Sequence, residues 1–448
     1  MTLRTVYLVV ALACAAAQAR GAETITIQPA DIRVVMPSPA NSIAEQAAAE
    51  LRLHLRLITG VEPAPLAVAD EPAEGKFVMR VGAADPDDKE PLAPEEGRYA
   101  IGPAGAFFYG EGRSNGVLFA VCAFLEDQLG ARWIMPGDRG IAFEPRTELK
   151  LSTGRAKWAP VMQERKIRPY ARPGVYPQKK GYVEEFWDFV MPKEGYDQLA
   201  RDLRQWQLRM RMGGHSGVNY GHAFNLWWKK YGKTNPEYFA MKKDGKREPE
   251  QANSDKYIYT ADNPKGFQNI KLCPSNPAVA KRIVDDWVAA GKRTKWINVC
   301  ENDSPPVNFC ECPECRKLDV MKDGEKSGEH LTDRYVHMAN AVARLAREID
   351  PEAGAVMYAY NETEQPPRRE KLEPNVFVVI VPTTAELPKL ETLLGGWRQA
   401  GARQTFLRPN LILYYETTAL PLGLEKQMFD VLQVARKNGC IGADYDSL

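Results

Sequence analysis

The chain has 448 residues, 44% of them hydrophobic, with 59 Lys and Arg against 58 Asp and Glu and a formal net charge of +1. That length supports two cores. The near-neutral balance leaves no global field to draw nucleic acid or an anionic membrane, so a neutral or locally recognised partner fits better.

The first residues, MTLRTVYLVVALACAAAQARGAET, carry one Arg, Arg4, ahead of an apolar run from Val6 to Ala17, and small residues at Ala17 and Ala19 suited to cleavage after Ala19. This is the pattern of an export signal over residues 1–19 and predicts a periplasmic or extracellular protein. No later stretch approaches the roughly 20 apolar residues of a membrane span. Cys14 leaves with the signal and seven of the eight cysteines remain. An odd number in a disulfide-permissive compartment leaves at least one thiol free or bound to metal.

TITIQPADIRVVMP alternates as a strand does, and SIAEQAAAELRLHLRLITG repeats apolar residues at helical spacing up to Gly60. KFVMRVG and GRYAIGPAGAFFYG add strand-like runs, and NGVLFAVCAFLEDQLGARWIMPG reads as a second apolar helix. Residues 23–155 therefore read as a small α+β domain.

Beyond it, eight strand-like runs occur: QERKIRPYA, LRMRMGGHSG, NIKLCPSN, KWINVCEND, AGAVMYAYN, VFVVIVP, LILYYETT and CIGADYDS. Amphipathic helices such as NPAVAKRIVDDWVAAGK and LTDRYVHMANAVARLAREIDP separate several of them. Repeated β–α units over 156–448 predict an α/β fold, a (β/α)8 barrel. Its last strand reaches Ser447, so the barrel is expected to lack its last helix.

Such barrels keep their chemistry at the C-terminal ends of the strands. Those ends carry His215, Ser216, Asn219 and His222; Ser275 and Asn276; Glu301, Asn302 and Asp303. Further ends carry Tyr358, Tyr360 and Asn361; Tyr414, Tyr415 and Glu416; Asp444 and Asp446. Tyr, His, Asn and paired acids are the repertoire of a sugar pocket, with rings stacking on the apolar sugar face and amides binding hydroxyls. Candidate substrate contacts are His215, His222, Asn276, Asn302, Tyr358, Tyr360, Tyr415, Glu416 and Asp444.

Glu301 and Asp303 lie two apart on an extended run and point the same way, which sets two acids side by side. Neighbouring carboxylates do not both ionise readily, and the one with the raised pKa becomes a competent general acid. The plainer alternative has Asp303 capping the next turn and Glu301 solvated. His215 and His222 lie seven apart with no third strong ligand nearby, which favours hydroxyl binding or a structural role over metal.

Cys310, Cys312 and Cys315 form a C-x-C-x-x-C triplet just past these acids. Two of them suit a disulfide, or all three with Cys300 or Cys273 suit a structural zinc. The single-residue spacing strains a disulfide and tilts the reading to metal. A nucleophilic cysteine fits least, because no His is close in sequence. No cofactor is expected for catalysis.

GHAF, NPEYFAM, LCPSNPAV, ENDSPPVNFCECPEC and MYAYNETEQPP, running from residue 221 to 367, resemble the bacterial domain of unknown function 4838. Part of that family is classed as glycoside hydrolase family 163, endo-acting β-N-acetylglucosaminidases on N-glycans. The preceding YGEGRSNGVLFAVCAFLEDQLGARW looks like the α+β domain before the barrel in α-glucuronidases and hexosaminidase-type hydrolases. The resemblance implies an exported glycosidase acting on N-acetylglucosamine-containing glycans or glycoproteins, with retention assisted by the substrate. By it Asp303 would protonate the leaving oxygen and Glu301 would orient the acetamido group, with E-N-D here in place of two adjacent acids. A non-catalytic glycan-binding protein and an α-glucuronidase-like hydrolase are the competing readings.

Overall fold

A computed structural model describes residues 23–37, 41–68, 76–112, 114–168, 193–249, 270–291, 294–302, 309–409 and 425–445. The expected export signal lies outside them. No helix among the described residues is long and apolar enough to cross a membrane. The chain divides into two compact units, one of residues 1–161 and 171–213, the other of 162–170 and 214–448.

In the first unit a six-stranded sheet has the spatial order Gly154–Trp158, Gly97–Gly102, Gly105–Gly110, Phe77–Val81, Ile32–Met36, Ala64–Val68. Helix Ser42–Thr59 starts at Asn41, whose side chain accepts from the Ala44 N–H, and stops at Gly60 in the left-handed region (φ 71°). Its buried face is Ala44, Ala47, Ala48, Leu51, Leu55 and Ile58, the helical spacing visible in the sequence. Helix Gly116–Asp127 is buried almost throughout. Glycine makes that approach possible: a Cβ on Gly110 would lie 2.4 Å from the Gly116 carbonyl carbon, and one on Gly97 would lie 2.3 Å from its oxygen. Helix Lys193–Arg209 belongs to this unit, where Arg209 Nε pairs with Glu50 Oε2 at 2.9 Å.

The second unit is built on a seven-stranded sheet in the order Gly213–Gly214, Glu164–Ile167, Gly442–Tyr445, Gln404–Leu407, Val376–Ile380, Gly354–Ala359, Trp296–Asn298. The ladders from Glu164–Ile167 through Trp296–Asn298 are parallel. Strict alternation sends Val356, Tyr358, Phe377, Val379 and Phe406 into one apolar cluster. Ala355, Met357, Val376, Val378 and Ile380 join another, which helices Pro277–Ala289, Thr332–Ile349 and Leu387–Gln399 share. A sheet covered on both faces requires such continuously apolar strands.

In chain order these strands follow the cyclic sequence of a barrel with the third place missing, so the described residues form an open, barrel-like sheet and not a complete (β/α)8 barrel. The cause lies in Ile270–Cys273, the run expected as the third strand. Leu272 bridges antiparallel to Phe239. Its N–H donates to Glu301 Oε2 at 3.1 Å, and the Ile270 carbonyl accepts from Asn302 Nδ2 at 3.0 Å. Side chains thus engage backbone groups that a ladder would need. The seventh strand also differs from expectation: it is Gln404–Leu407, upstream of LILYYETT, which lies outside the described residues.

Candidate active site

Glu301 follows the Trp296–Asn298 strand at the C-terminal end of the parallel sheet. One carboxylate oxygen accepts from the Asn302 N–H at 2.8 Å and the other from the Leu272 N–H at 3.1 Å. Its backbone carbonyl takes a 2.6 Å contact from His222 Nδ1. The side chain keeps partial access to solvent, yet protein encloses the carboxyl, and loss of hydration pushes its pKa from 4.5 up to about 7. Lys271 and the two N–H donors oppose that rise, and Glu362 adds to it.

Lys271 and Glu362 form a buried ion pair beside this carboxyl. Glu362 is presented by a single 3-10 turn, Asn361–Thr363, directly after the Gly354–Ala359 strand. Tyr335, from helix Thr332–Ile349, closes the group. Its hydroxyl is buried with no hydrogen-bond partner among the described residues, and burial beside Glu301 and Glu362 holds its pKa well above the ordinary range. An unmatched donor lining a pocket is a place for a ligand oxygen. The rim is aromatic: His222 and Tyr358 have ring centroids 5.6 Å apart, and Tyr358 and Tyr360 6.1 Å.

His222, Glu301, Asn302, Tyr358 and Tyr360 therefore line one pocket, as residues read from the sequence. Asn302 serves it partly as a clamp, accepting from the Phe224 N–H at 3.1 Å while donating to Ile270. Other expected contacts fall elsewhere. Asn276 caps helix Pro277–Ala289 by accepting from the Ala278 N–H, and its amide donates to the Glu237 carbonyl at 3.0 Å. His215 is exposed on the loop where Ser216 holds Glu164. Asp444 is buried, bonded to Arg168 Nε at 3.1 Å and to the Tyr220 hydroxyl. Tyr220 in turn packs edge-on against Tyr358 at 5.8 Å. Asp303, Tyr415 and Glu416 lie outside the described residues.

Sequence reasoning missed Lys271, Glu362 and Tyr335. A signal existed for two of them. Glu362 sits next to Asn361 in MYAYNETEQPP, and a lysine inside the apolar run NIKLC requires a buried counter-charge.

Cys273, Cys310, Cys312 and Cys315 have their sulfurs within 4.8 Å of one another, and all four are buried free thiols. This excludes Cys300 as the fourth member; it lies on the inner face of the sheet, with its sulfur 3.7 Å from the Val356 carbonyl.

The chain belongs to the family of the domain of unknown function DUF4838, whose model matches residues 152–392. No curated protein matches it. Among solved structures, a chitobiase of Flavobacterium johnsoniae aligns over 94% of this chain and 63% of its own, with 11% identity and a TM-score of 0.45. A β-N-acetylhexosaminidase of Bacteroides fragilis aligns over 90% and 75%, with 11% identity and a TM-score of 0.42. The chain thus spans less than two thirds of the chitobiase.

Proposed function

We propose that this chain is an exported glycoside hydrolase acting on N-acetylglucosamine-containing glycans, with Glu301 as the proton donor. Glu301 carries the reading: a carboxyl brought to about 7 by enclosure, at a strand end, in a pocket rimmed by His222, Tyr358 and Tyr360. A general acid works best with its pKa near the operating pH. This reverses the division of roles that the resemblance implies and leaves Asp303 to orient the acetamido group.

In the proposed reaction Glu301 gives its proton to the glycosidic oxygen as the bond to the anomeric carbon breaks. The carbonyl oxygen of the substrate's own acetamido group closes on that carbon, so no nucleophilic carboxylate is needed, a recognised exception to the two-carboxylate scheme. The Glu301 carboxylate then takes a proton from the water that opens the intermediate. A uronic acid substrate is less well served. Two of the basic groups near these strand ends, Arg168 and Lys271, already bond carboxylates of the protein, Asp444 and Glu362.

The test uses two leaving groups. Glu301→Gln is expected to lower turnover of a glycan by about 10²–10⁴-fold, and the loss should shrink with an activated aryl N-acetylglucosaminide. Asp303→Asn should be equally harmful on both. The opposite pattern returns the donor's role to Asp303. Near-wild-type turnover in both variants defeats the reading, and glycan binding by a wild-type protein that cleaves neither substrate makes it a binding module.

A further inference from the structure

The geometry points to a structural zinc ion held by Cys273, Cys310, Cys312 and Cys315, tying the segment that carries Lys271 and Leu272 to the loop that follows Glu301. The proposal does not depend on the glycosidase reading. Sulfur positions are its first support. Cys273 Sγ lies 3.6 Å from Cys310 Sγ and 3.7 Å from each of Cys312 and Cys315. With Zn–S bonds of about 2.3 Å, the sulfurs of a regular tetrahedron stand about 3.8 Å apart. One sulfur nearly equidistant from three others is the vertex of such a figure. A disulfide would instead draw one pair to about 2.05 Å and leave the other two aside.

The surroundings supply what a tetrathiolate site needs. A zinc ion with four thiolates carries an excess of two negative charges, and burial makes that excess unfavourable unless donors and cations meet it. The Met241 N–H donates to Cys310 Sγ at 3.3 Å and the Cys315 N–H to Cys312 Sγ at 3.4 Å. Ser275 Oγ lies 3.1 Å from Cys315 Sγ. The Arg247 guanidinium faces Cys273, within the field of Cys310 and Cys312. Arg334, fully buried, donates to the Cys310 carbonyl at 2.7 Å and pairs with Asp319, which fixes the loop from the other side.

The consequence for the pocket follows from chain connectivity. Cys273 is the residue after Leu272, whose N–H holds Glu301 Oε2, and two residues after Lys271, which pairs with Glu362. Ile270–Cys273 has no ladder with the parallel sheet to hold it. A metal anchored on Cys273 gives this segment a fixed position that strand pairing does not.

Metal analysis of the purified full-length chain tests this directly. About one zinc per chain is expected, released to a chromophoric chelator as an organomercurial titrates the thiols. Cys300→Ser and Cys440→Ser should keep the metal, whereas Cys273→Ser and Cys312→Ser should lose it and melt at lower temperature. Hydrogen exchange of the zinc-stripped wild type should show protection lost at 270–273. If the cysteine variants do not fold, the zinc content of the wild type and its release by the mercurial decide the matter. A metal-free chain with four alkylatable thiols, a mapped disulfide among the four cysteines, or iron as the resident metal overturns the assignment. Each is read without any substrate, so it stands or falls separately from the glycosidase assignment.

Discussion

Glu301 and Asp444 both bring a carboxylate to the parallel sheet of the second unit, and a leading difference between their surroundings is the charge of the partner. Asp444 is met by the guanidinium of Arg168 and the hydroxyl of Tyr220. Glu301 is met by two neutral backbone N–H groups, while the nearest cation, Lys271, is already bonded to Glu362. Enclosure without a dedicated counter-charge leaves Glu301 a weak acid at about 7, able to exchange a proton at neutral pH. An acid paired with a guanidinium is instead part of the scaffold. Residue type and position at a strand end do not separate these two roles.

The comparison is broken most severely by making the Glu301 environment resemble that of Asp444. Glu362→Gln leaves the Lys271 ammonium buried without its counter-charge, and a loss of stability of about 3–5 kcal/mol is expected in denaturant titration. The same change removes a negative neighbour and frees a cation, both of which lower the Glu301 pKa. The alkaline limb of kcat/KM should therefore move to lower pH. An unmoved limb would mean that Glu362 does not act on Glu301.

The converse change is milder. Asp444→Asn takes the carboxylate from Arg168, whose side chain is 30% exposed and keeps the Tyr220 ring 5.2 Å away. A loss of about 1–3 kcal/mol is expected. The alkaline limb should stay in place, since Asp444 is absent from the groups that tune Glu301.

A smaller effect tests the raised pKa itself. Because the folded pKa of Glu301 lies above its ordinary 4.5, the native state binds more protons than the unfolded chain between 4.5 and about 7. The stabilisation from protonated Glu301 is fully present below the lower value and is lost as pH rises through the upper one. Glu301→Gln should flatten this component of the urea midpoint plotted against pH. An identical slope in wild type and variant would assign the pH dependence to other groups.

The smallest change sharpens the site. Tyr335→Phe removes a buried hydroxyl that has no partner among the described residues, so stability should stay within about 0.5 kcal/mol. Substrate affinity should fall nonetheless, because Tyr335 lines the pocket. Unchanged affinity, read by calorimetry or KM, would remove Tyr335 from the binding surface.

Local periodicity was enough to place many elements. The apolar runs in AGAVMYAYN and VFVVIVP became the strands Gly354–Ala359 and Val376–Ile380, and the apolar spacing before Gly60 became helix Ser42–Thr59. These elements are legible because side-chain direction repeats every two or 3.6 residues whatever the distant chain does. Gln404–Leu407 carries a weaker apolar signal and does not read as a strand, yet it pairs in the sheet, with Phe377 opposite Gln404, because strand pairing is set by distant partners. NIKLC reads as a strand, but its backbone groups meet the side chains of Glu301 and Asn302 instead.

The sequence by itself determined that acids, rings and a cysteine triplet crowd the ends of β–α units, since these follow from residue order and short-range geometry. Only the tertiary structure decided that Lys271 answers Glu362 across 91 residues, that Cys273 rather than Cys300 joins the triplet, and that Glu301 is held near neutrality. Each of those depends on which distant groups share a buried volume, where lost hydration and the sign of the nearest charge set the chemistry.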